Sequence, residues 1–205
     1  MNSLTQQEIE NFKKDGAIVI RKKFDISWIE KLKKGIPSFY EPKLEKILLS
    51  SIRDKKLIFS ENFESILKTD FTFVTVGTPS NENGEIELKF LNNAIDEILK
   101  VLKNKKKKHI IVIKSTVVPT TTVNKILPKI KDYKKIQILV NPEFLRESCA
   151  IDDLLKPHLI VIGENDKKIG QKLIEYYHSF YTKVPEIIRT DFSSAELIKY
   201  SNNAF

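Results

Sequence analysis

The chain has one cysteine, Cys149, and one tryptophan, Trp28. A lone cysteine excludes an internal disulfide framework. Glycine is scarce as well: the six glycines stand at 16, 35, 77, 84, 163 and 170, and no two are spaced Gly-x-Gly. The tight glycine turn that brings a backbone against a pyrophosphate is therefore missing. No apolar run approaches the ~20 residues that a bilayer-spanning helix needs. The opening stretch from Met1 to Lys14 is polar and lacks the pattern of a signal peptide. Together these absences predict a soluble, cytoplasmic protein with no membrane partner.

Negative charge is the minority sign, with 27 Asp and Glu against 35 Lys and Arg, a net charge of +8. A basic surplus suits nucleic acid, a membrane surface or anionic small molecules. The densest run, Lys103 to Lys108, is broken only by Asn104 and has no aromatic residues interleaved. A single-strand binder needs such aromatics for stacking, so the run reads as a solvated turn and no nucleic-acid partner is expected. With 205 residues, 41% of them apolar, the chain suffices for one sizeable domain, or one domain and an appendage.

Helical and strand patterns alternate along most of the length. Residues 42–53 form an amphipathic pattern with Leu44, Ile47, Leu48 and Ile52 on one face. A short strand is expected at 57–60 and a short helix at 61–68. Strand 71–76 ends in Gly77-Thr78-Pro79-Ser80. Helix 88–102 precedes strand 109–113, which ends in Lys114-Ser115-Thr116. A weaker helix at 122–130 is interrupted by Pro128. Strand 136–140 ends in Asn141-Pro142-Glu143. Strand 159–162, helix 166–180 and strand 186–189 follow, and a helix beginning at Ser193 is still running at Phe205. Strands apolar throughout are buried on both faces, with helices as cover. The alternation predicts an α/β fold, a partial Rossmann-like, doubly wound parallel sheet that lacks the usual glycine-rich first βα unit. Residues 1–34 differ in kind: a helix at 4–14, a brief strand at 17–20 and a helix at 27–34 anchored by Trp28 and Leu32.

In an open parallel sheet, ligands bind outside the carboxyl ends of the strands. Three expected strands end there in small, polar or charged clusters, at 76–80, 114–116 and 141–148. Each by itself is compatible with an ordinary βα loop; the three together favour a site. The segment from Asn141 to Ser148 sets Glu143 and Glu147 around Phe144, Leu145 and Arg146. Carboxylates beside apolar residues are costly unless paired or used. The alternative is an Arg146 ion pair that merely fixes the loop. On the last helix, Lys199 and Asn203 are four apart and share a face, where a cation and an amide can stabilise a developing oxyanion. Lysine and asparagine are also common on surface helices.

From about Gly35 to Phe205 the chain resembles the UDP-glucose/GDP-mannose dehydrogenase family. The resemblance is carried by Pro37-Ser38-Phe39-Tyr40-Glu41-Pro42, VGTPS at 76–80, KSTVVP at 114–119, NPEFLRES at 141–148, Ile160-Val161-Ile162-Gly163 and AELIKYSNNAF at 195–205. It implies NAD as cofactor, a UDP-sugar or GDP-sugar substrate and a homo-oligomer. The implied reaction, with UDP-glucose 6-dehydrogenase as the preferred member, is a double oxidation of a primary alcohol to a carboxylate through a cysteine thiohemiacetal. By the same resemblance Thr78 contacts NAD, and Thr116 contacts NAD and helps to hold the catalytic water. Glu143, Phe144, Leu145, Arg146 and Glu147 form the nucleotide-sugar loop. Glu147 also serves base chemistry and the nicotinamide pocket, and Lys199 with Asn203 polarises the sugar oxygen. No metal is implied.

The chain departs from the family pattern in two ways. The opening strand, Gly-x-Gly turn and acidic ribose ligand are absent. The catalytic cysteine belongs to a later domain, and Cys149, two residues after Glu147, reads as a small packing residue. The expected division is a divergent segment at 1–34, an incomplete NAD-binding domain at 35–191 and the start of a dimerisation helix at 192–205. Leu4-Thr5, Phe12, Asp15-Gly16 and Val19-Ile20-Arg21 resemble the opening of phytanoyl-CoA dioxygenase-like proteins. The three histidines, His109, His158 and His178, do not supply that group's iron-binding pattern. The isolated chain is expected to turn over little or no UDP-glucose, and the rival reading is a non-catalytic nucleotide-sugar-binding or assembly module.

Overall fold

The computed structural model describes residues 27–60 and 62–204; the helix and strand expected within residues 4–20 lie outside them. The chain divides into two compact units, Met1–Phe59 and Ser60–Phe205.

In the first unit, helix α1 (Ser27–Lys33) stops at Gly35, whose φ is +79°. The amides of Gly35 and Ile36 return to the carbonyls of Leu32 and Lys31 at 2.9 Å. A left-handed residue just past a helix end satisfies the orphan carbonyls, and glycine does so without a Cβ clash. Helix α2 (Leu44–Arg53) packs on that glycine, where a Cβ would fall 2.1 Å from Leu49 Cδ2. The strand expected at 57–60 does not form. That stretch is irregular, and Ile58 is 83% exposed.

The second unit holds a five-stranded sheet in the order β1 (Phe71–Val74), β2 (His109–Ile113), β3 (Ile136–Val140), β4 (Leu159–Gly163) and β5 (Glu186–Thr190). The first three strands are parallel, and β4 and β5 are parallel to each other. β4 runs antiparallel to β3, joined through Val140 and Gly163. The expectation of a wholly parallel sheet is corrected at this joint. A parallel return has to carry the chain back along the whole sheet. Here the connection stays at the carboxyl end of β3. Arg146 grips Asp153 with two side-chain nitrogens, at 2.7 and 3.1 Å, and its amide donates to Asp153 at 3.0 Å. The two-turn helix α5 (Ala150–Leu155), which the sequence pattern did not reveal, takes up much of the rest. β4 therefore runs back towards β3, its last residue Gly163 lying beside Val140 at the end of β3, while His158, just before β4, stands against the Phe144 ring at 6.0 Å.

Alternation within the strands feeds two cores. Ile111, Ile113, Ile136, Ile138, Val140 and Val161 face helix α3 (Lys89–Leu102), which buries Leu91, Ile95, Ile98 and Leu102 on them. Ile110, Val112, Leu139, Ile160 and Ile162 face helix α6 (Lys167–Phe180), through Ile169, Leu173 and Tyr177. Asp166 caps α6 by accepting from Lys168 N at 2.8 Å. The weaker helix is a π-helical turn (Thr122–Ile126) leading into α4 (Leu127–Ile130). Pro128 lacks the N–H that a regular ladder needs, and the wide turn before it absorbs the break. Residues 61–68 yield only a 3-10 turn (Phe63–Lys68), capped by Asn62. One lysine of the basic run is not solvated: Lys105 is buried and bonds the carbonyls of Ile66 and Thr69.

Helix α7 (Phe192–Ala204) starts one residue before the expected Ser193, with Asp191 accepting from Ser194 N at 2.9 Å. Gly163 lets it approach the sheet, since a Cβ there would lie 2.8 Å from Ala195 Cβ and 3.1 Å from the backbone at Asp191 and Phe192. Overpacking a buried contact of this kind costs about 1–3 kcal/mol. Gly163→Ala is expected to lower the thermal midpoint by roughly 5 °C, and an unchanged midpoint in calorimetry would contradict this close approach.

Candidate functional site

The carboxyl ends of β1, β2 and β3 are tied to one another. After β1 and β2, Ser115 Oγ donates to Val76 O at 2.7 Å, and Thr78 Oγ1 donates to Thr116 O at 2.7 Å. The two threonines of the expected NAD contacts are thus drawn to one place. At β2 and β3, Lys114 Nζ donates to Asn141 Oδ1 at 3.2 Å and to its carbonyl at 3.5 Å.

Asn141 is the buried centre of this arrangement. Its amide donates to Ile113 O and its Nδ2 to Val161 O, both at 2.8 Å, so one residue spans β2, β3 and β4. Its Oδ1 also accepts from the Tyr177 hydroxyl of α6. A buried amide bonded through both its Nδ2 and its Oδ1 fixes the geometry around it. Sequence reasoning set both Asn141 and Lys114 in strand-end clusters but gave neither a role. The only available signal was their place at strand ends, which does not reveal burial.

Glu143 reaches the last helix. Its Oε1 lies 3.1 Å from Lys199 Nζ, and the side chain of Lys199 is 5% exposed. The same ammonium stands 5.5 Å over the Phe144 ring. Burial brings the Lys114 ammonium down to about 8; Glu143 pulls it up and Lys199 pushes it further down. Glu143, Lys199 and Lys114 therefore share one electrostatic neighbourhood with an excess of positive charge, as an anionic ligand requires.

The remaining expected residues are placed less tightly. Glu147 and Asn203 are exposed, the first in the turn before α5 and the second one turn beyond Lys199. Arg146 is engaged with Asp153 and holds that carboxyl well below its usual range, at about 2. The loop-fixing reading of Arg146 is the one that the structure supports. Cys149 is a free, exposed thiol at the start of α5, not the packed small residue expected. Among the described residues no helix is long and apolar enough to cross a membrane, and no three His, Cys, Asp or Glu side chains gather as a metal site would require.

A cleft of about 460 Å³ opens beside the loop. Lys114, Glu143 and Arg146 are its charged lining, and Phe73, Phe144 and Tyr176 its aromatic lining. For a dinucleotide, the strand ends offer hydroxyls at Thr78 and Thr116. Of the glycines at the ends of parallel strands among the described residues, Gly163 is packed against the last helix, and at Gly77 a Cβ would meet nothing within 4 Å. Among the described residues the strand ends offer hydroxyl groups and no glycine cradle for a pyrophosphate.

The sequence model of the UDP-glucose/GDP-mannose dehydrogenase family, NAD binding domain, matches residues 9–181. The GDP-mannose 6-dehydrogenase of Pseudomonas savastanoi pv. phaseolicola is 40% identical over 184 residues, 86% of this chain and 41% of that protein. The UDP-glucose 6-dehydrogenase AglM of Haloferax volcanii is 35% identical over 198 residues, 93% of this chain and 46% of that protein. A ternary complex of the GDP-mannose dehydrogenase of Pseudomonas aeruginosa superposes with a TM-score of 0.82 at 35% identity, over 88% of this chain and 42% of that one. The chain thus spans less than half the length of these relatives. The family match begins at residue 9, within the segment that looked divergent, so the resemblance to phytanoyl-CoA dioxygenase-like proteins gains no support. Fold, strand-end chemistry and similarity agree that the chain belongs to the UDP-glucose/GDP-mannose dehydrogenase family, whose NAD-binding domain it represents.

Proposed function

We propose that the chain is the cofactor-side part of a nucleotide-sugar 6-dehydrogenase, with UDP-glucose as substrate and UDP-glucuronate as product. GDP-mannose is the second choice. The observation that carries this reading is the buried Lys199 held at 3.1 Å by Glu143, with Lys114 beside them. A positive site at strand ends, with an aromatic-walled cleft next to it, suits a sugar joined to a diphosphate.

In this reading Lys199 and Asn203 donate hydrogen bonds to the sugar C6 oxygen and stabilise it as it becomes anionic. Glu143 holds the Lys199 ammonium in direction. Glu147, free at the rim, takes the alcohol proton. Thr116 holds a water through its hydroxyl, and Phe144 and Leu145 form the apolar lining of the loop that Arg146 keeps in shape. NAD, when bound, takes up the hydride that leaves C6. Thr78 and Thr116 would hold its nicotinamide side. No residue of this chain is assigned to the covalent capture of the aldehyde.

Calorimetry of the full chain with UDP-glucose and with GDP-mannose tests the reading. Saturable heat is expected with UDP-glucose, and a weaker response with GDP-mannose. No heat from either at millimolar ligand would remove the assignment; tighter binding of GDP-mannose would reverse the choice of substrate. The lack of any Gly-x-Gly spacing in the sequence favours, as a second reading, a nucleotide-sugar-binding or assembly module, with NADH formation at background. NADH production well above background that Glu147→Gln abolishes would eliminate this second reading.

A further inference from the structure

The helix that carries Lys199 is joined to the loop that carries Thr116 by one buried group. Glu196, 2% exposed, extends from α7 to Thr122, and its Oε1 accepts the Thr122 amide at 2.9 Å across 74 residues of sequence. The amides of Thr120 and Thr121 also face this carboxyl. Thr122 opens the π-helical turn, where the first amides have no partner within the helix. A carboxylate from another element is a favourable partner for them.

The turn it meets is strained. Thr120 has a φ of +75°. A β-branched residue in the left-handed region is an outlier that persists only where its surroundings enforce it. The amides of this turn stand four to six residues after Thr116 in the chain, and Glu196 stands one helical turn before Lys199. The Thr122 side chain also acts on the Glu196 carboxyl, and Tyr200 OH is buried without a hydrogen-bond partner. Polar atoms are rarely left in that state by packing needs alone. Gly163 sets how closely α7 approaches the sheet, but it contributes no directional bond. The bond from Glu196 to Thr122 does, and it sets the rotation and height of α7 over the loop.

We propose that Glu196 is a positioning residue: it clamps the strained 120–122 turn to α7 and thereby fixes Lys199 relative to Thr116. This rests on the reading of those two residues as part of the nucleotide-sugar site. In this role the carboxyl acts through other groups: its effect passes through the Thr122 amide on one side and the helix backbone on the other.

The full chain and three variants decide the matter with two measurements. Glu196→Leu keeps the bulk and loses the acceptor, Glu196→Gln keeps an acceptor without the charge, and Glu196→Asp keeps the charge but shortens the reach. Amide hydrogen exchange at Thr122, which needs no ligand, is expected to quicken about tenfold or more in Glu196→Leu and to stay near wild type in Glu196→Gln. Reductive methylation of Lys199, followed by mass spectrometry, is expected to speed up in parallel as the ammonium loses its fixed place by Glu143. In calorimetry Glu196→Leu is expected to weaken UDP-glucose about tenfold, and Glu196→Gln less than about threefold. If Glu196→Leu does not fold, Glu196→Asp carries the test, with the same direction and a smaller change. Unaltered Thr122 exchange, or unaltered Lys199 methylation, in the variant that lacks the acceptor overturns the clamp. Wild-type chain that binds no nucleotide sugar defeats the substrate reading instead, and the exchange and methylation results still judge the clamp.

Discussion

Replacing Lys199 by alanine is expected to weaken UDP-glucose binding by about tenfold to a hundredfold. Two losses act in the same direction. The ammonium is buried and aimed, so a ligand oxygen in contact with it forms a charge-assisted bond worth about 1.5–3 kcal/mol. Its removal also leaves Glu143, 3.1 Å away in the wild type, unneutralised beside the proposed diphosphate site. Lys114 remains, but it is engaged with Asn141 and holds its proton less firmly than an exposed lysine. Lys129→Ala is the control. That lysine pairs with Asp96 at 2.7 Å at the surface, away from the strand-end loops, and its loss is expected to change affinity less than about twofold. Equal affinity of wild type and Lys199→Ala in calorimetry would detach Lys199 from the substrate site.

Acid sensitivity is expected to come largely from His109. Its ring is buried at the start of β2, with Nδ1 3.1 Å from Thr69 O and Nε2 2.8 Å from Thr72 Oγ1. A carbonyl can only accept, so Nδ1 carries the proton and neutral Nε2 accepts from the threonine hydroxyl. Burial is the main cause that lowers the ring to about 4, and the Lys105 charge beside it adds to the effect. The unfolded chain protonates this histidine near 6.5, whereas the folded chain does so only near 4. Between these values the unfolded state holds the extra proton. Stability from the neutral ring is therefore complete above 6.5, falls as the pH drops through the window, and is gone at its lower end. A difference of this size corresponds to about 3 kcal/mol. Glu196 acts in the opposite sense, since burial raises its carboxyl, so the informative quantity is a difference between proteins. Urea unfolding at about pH 7.5 and about pH 4.5 is expected to show a markedly smaller acid loss in His109→Gln than in wild type. Identical acid losses in the two would refute the assignment.

Much of this protein could be read before its coordinates. The near-continuous apolar runs at 109–113 and 136–140 became the central strands, because a strand covered on both faces has no polar positions to betray its edges. The helical period at 88–102 became α3 for the same reason of burial, here on one side only. Strand-end clusters singled out the threonines and Glu143, and helical spacing singled out Lys199. Local signals misled where they were short. Residues 57–60 looked like a strand but make no strand pairing, and α5 is too brief to show a period. The antiparallel joint depends on where Arg146 finds its carboxylate, seven residues ahead, and no pattern of apolar residues encodes that pairing.

The sequence by itself determined the α/β class, the elements that carry the chemistry, the family and the missing glycine turn. These depend on residue type and spacing along one chain. The tertiary structure alone decided that Lys199 answers to Glu143, that Asn141 joins three strands, that Lys105 and His109 point inward, and that Glu196 fastens α7 to the 120–122 turn. Each of those is a bond between residues distant in sequence, with a strength set by burial, and burial exists only once the chain has closed around them.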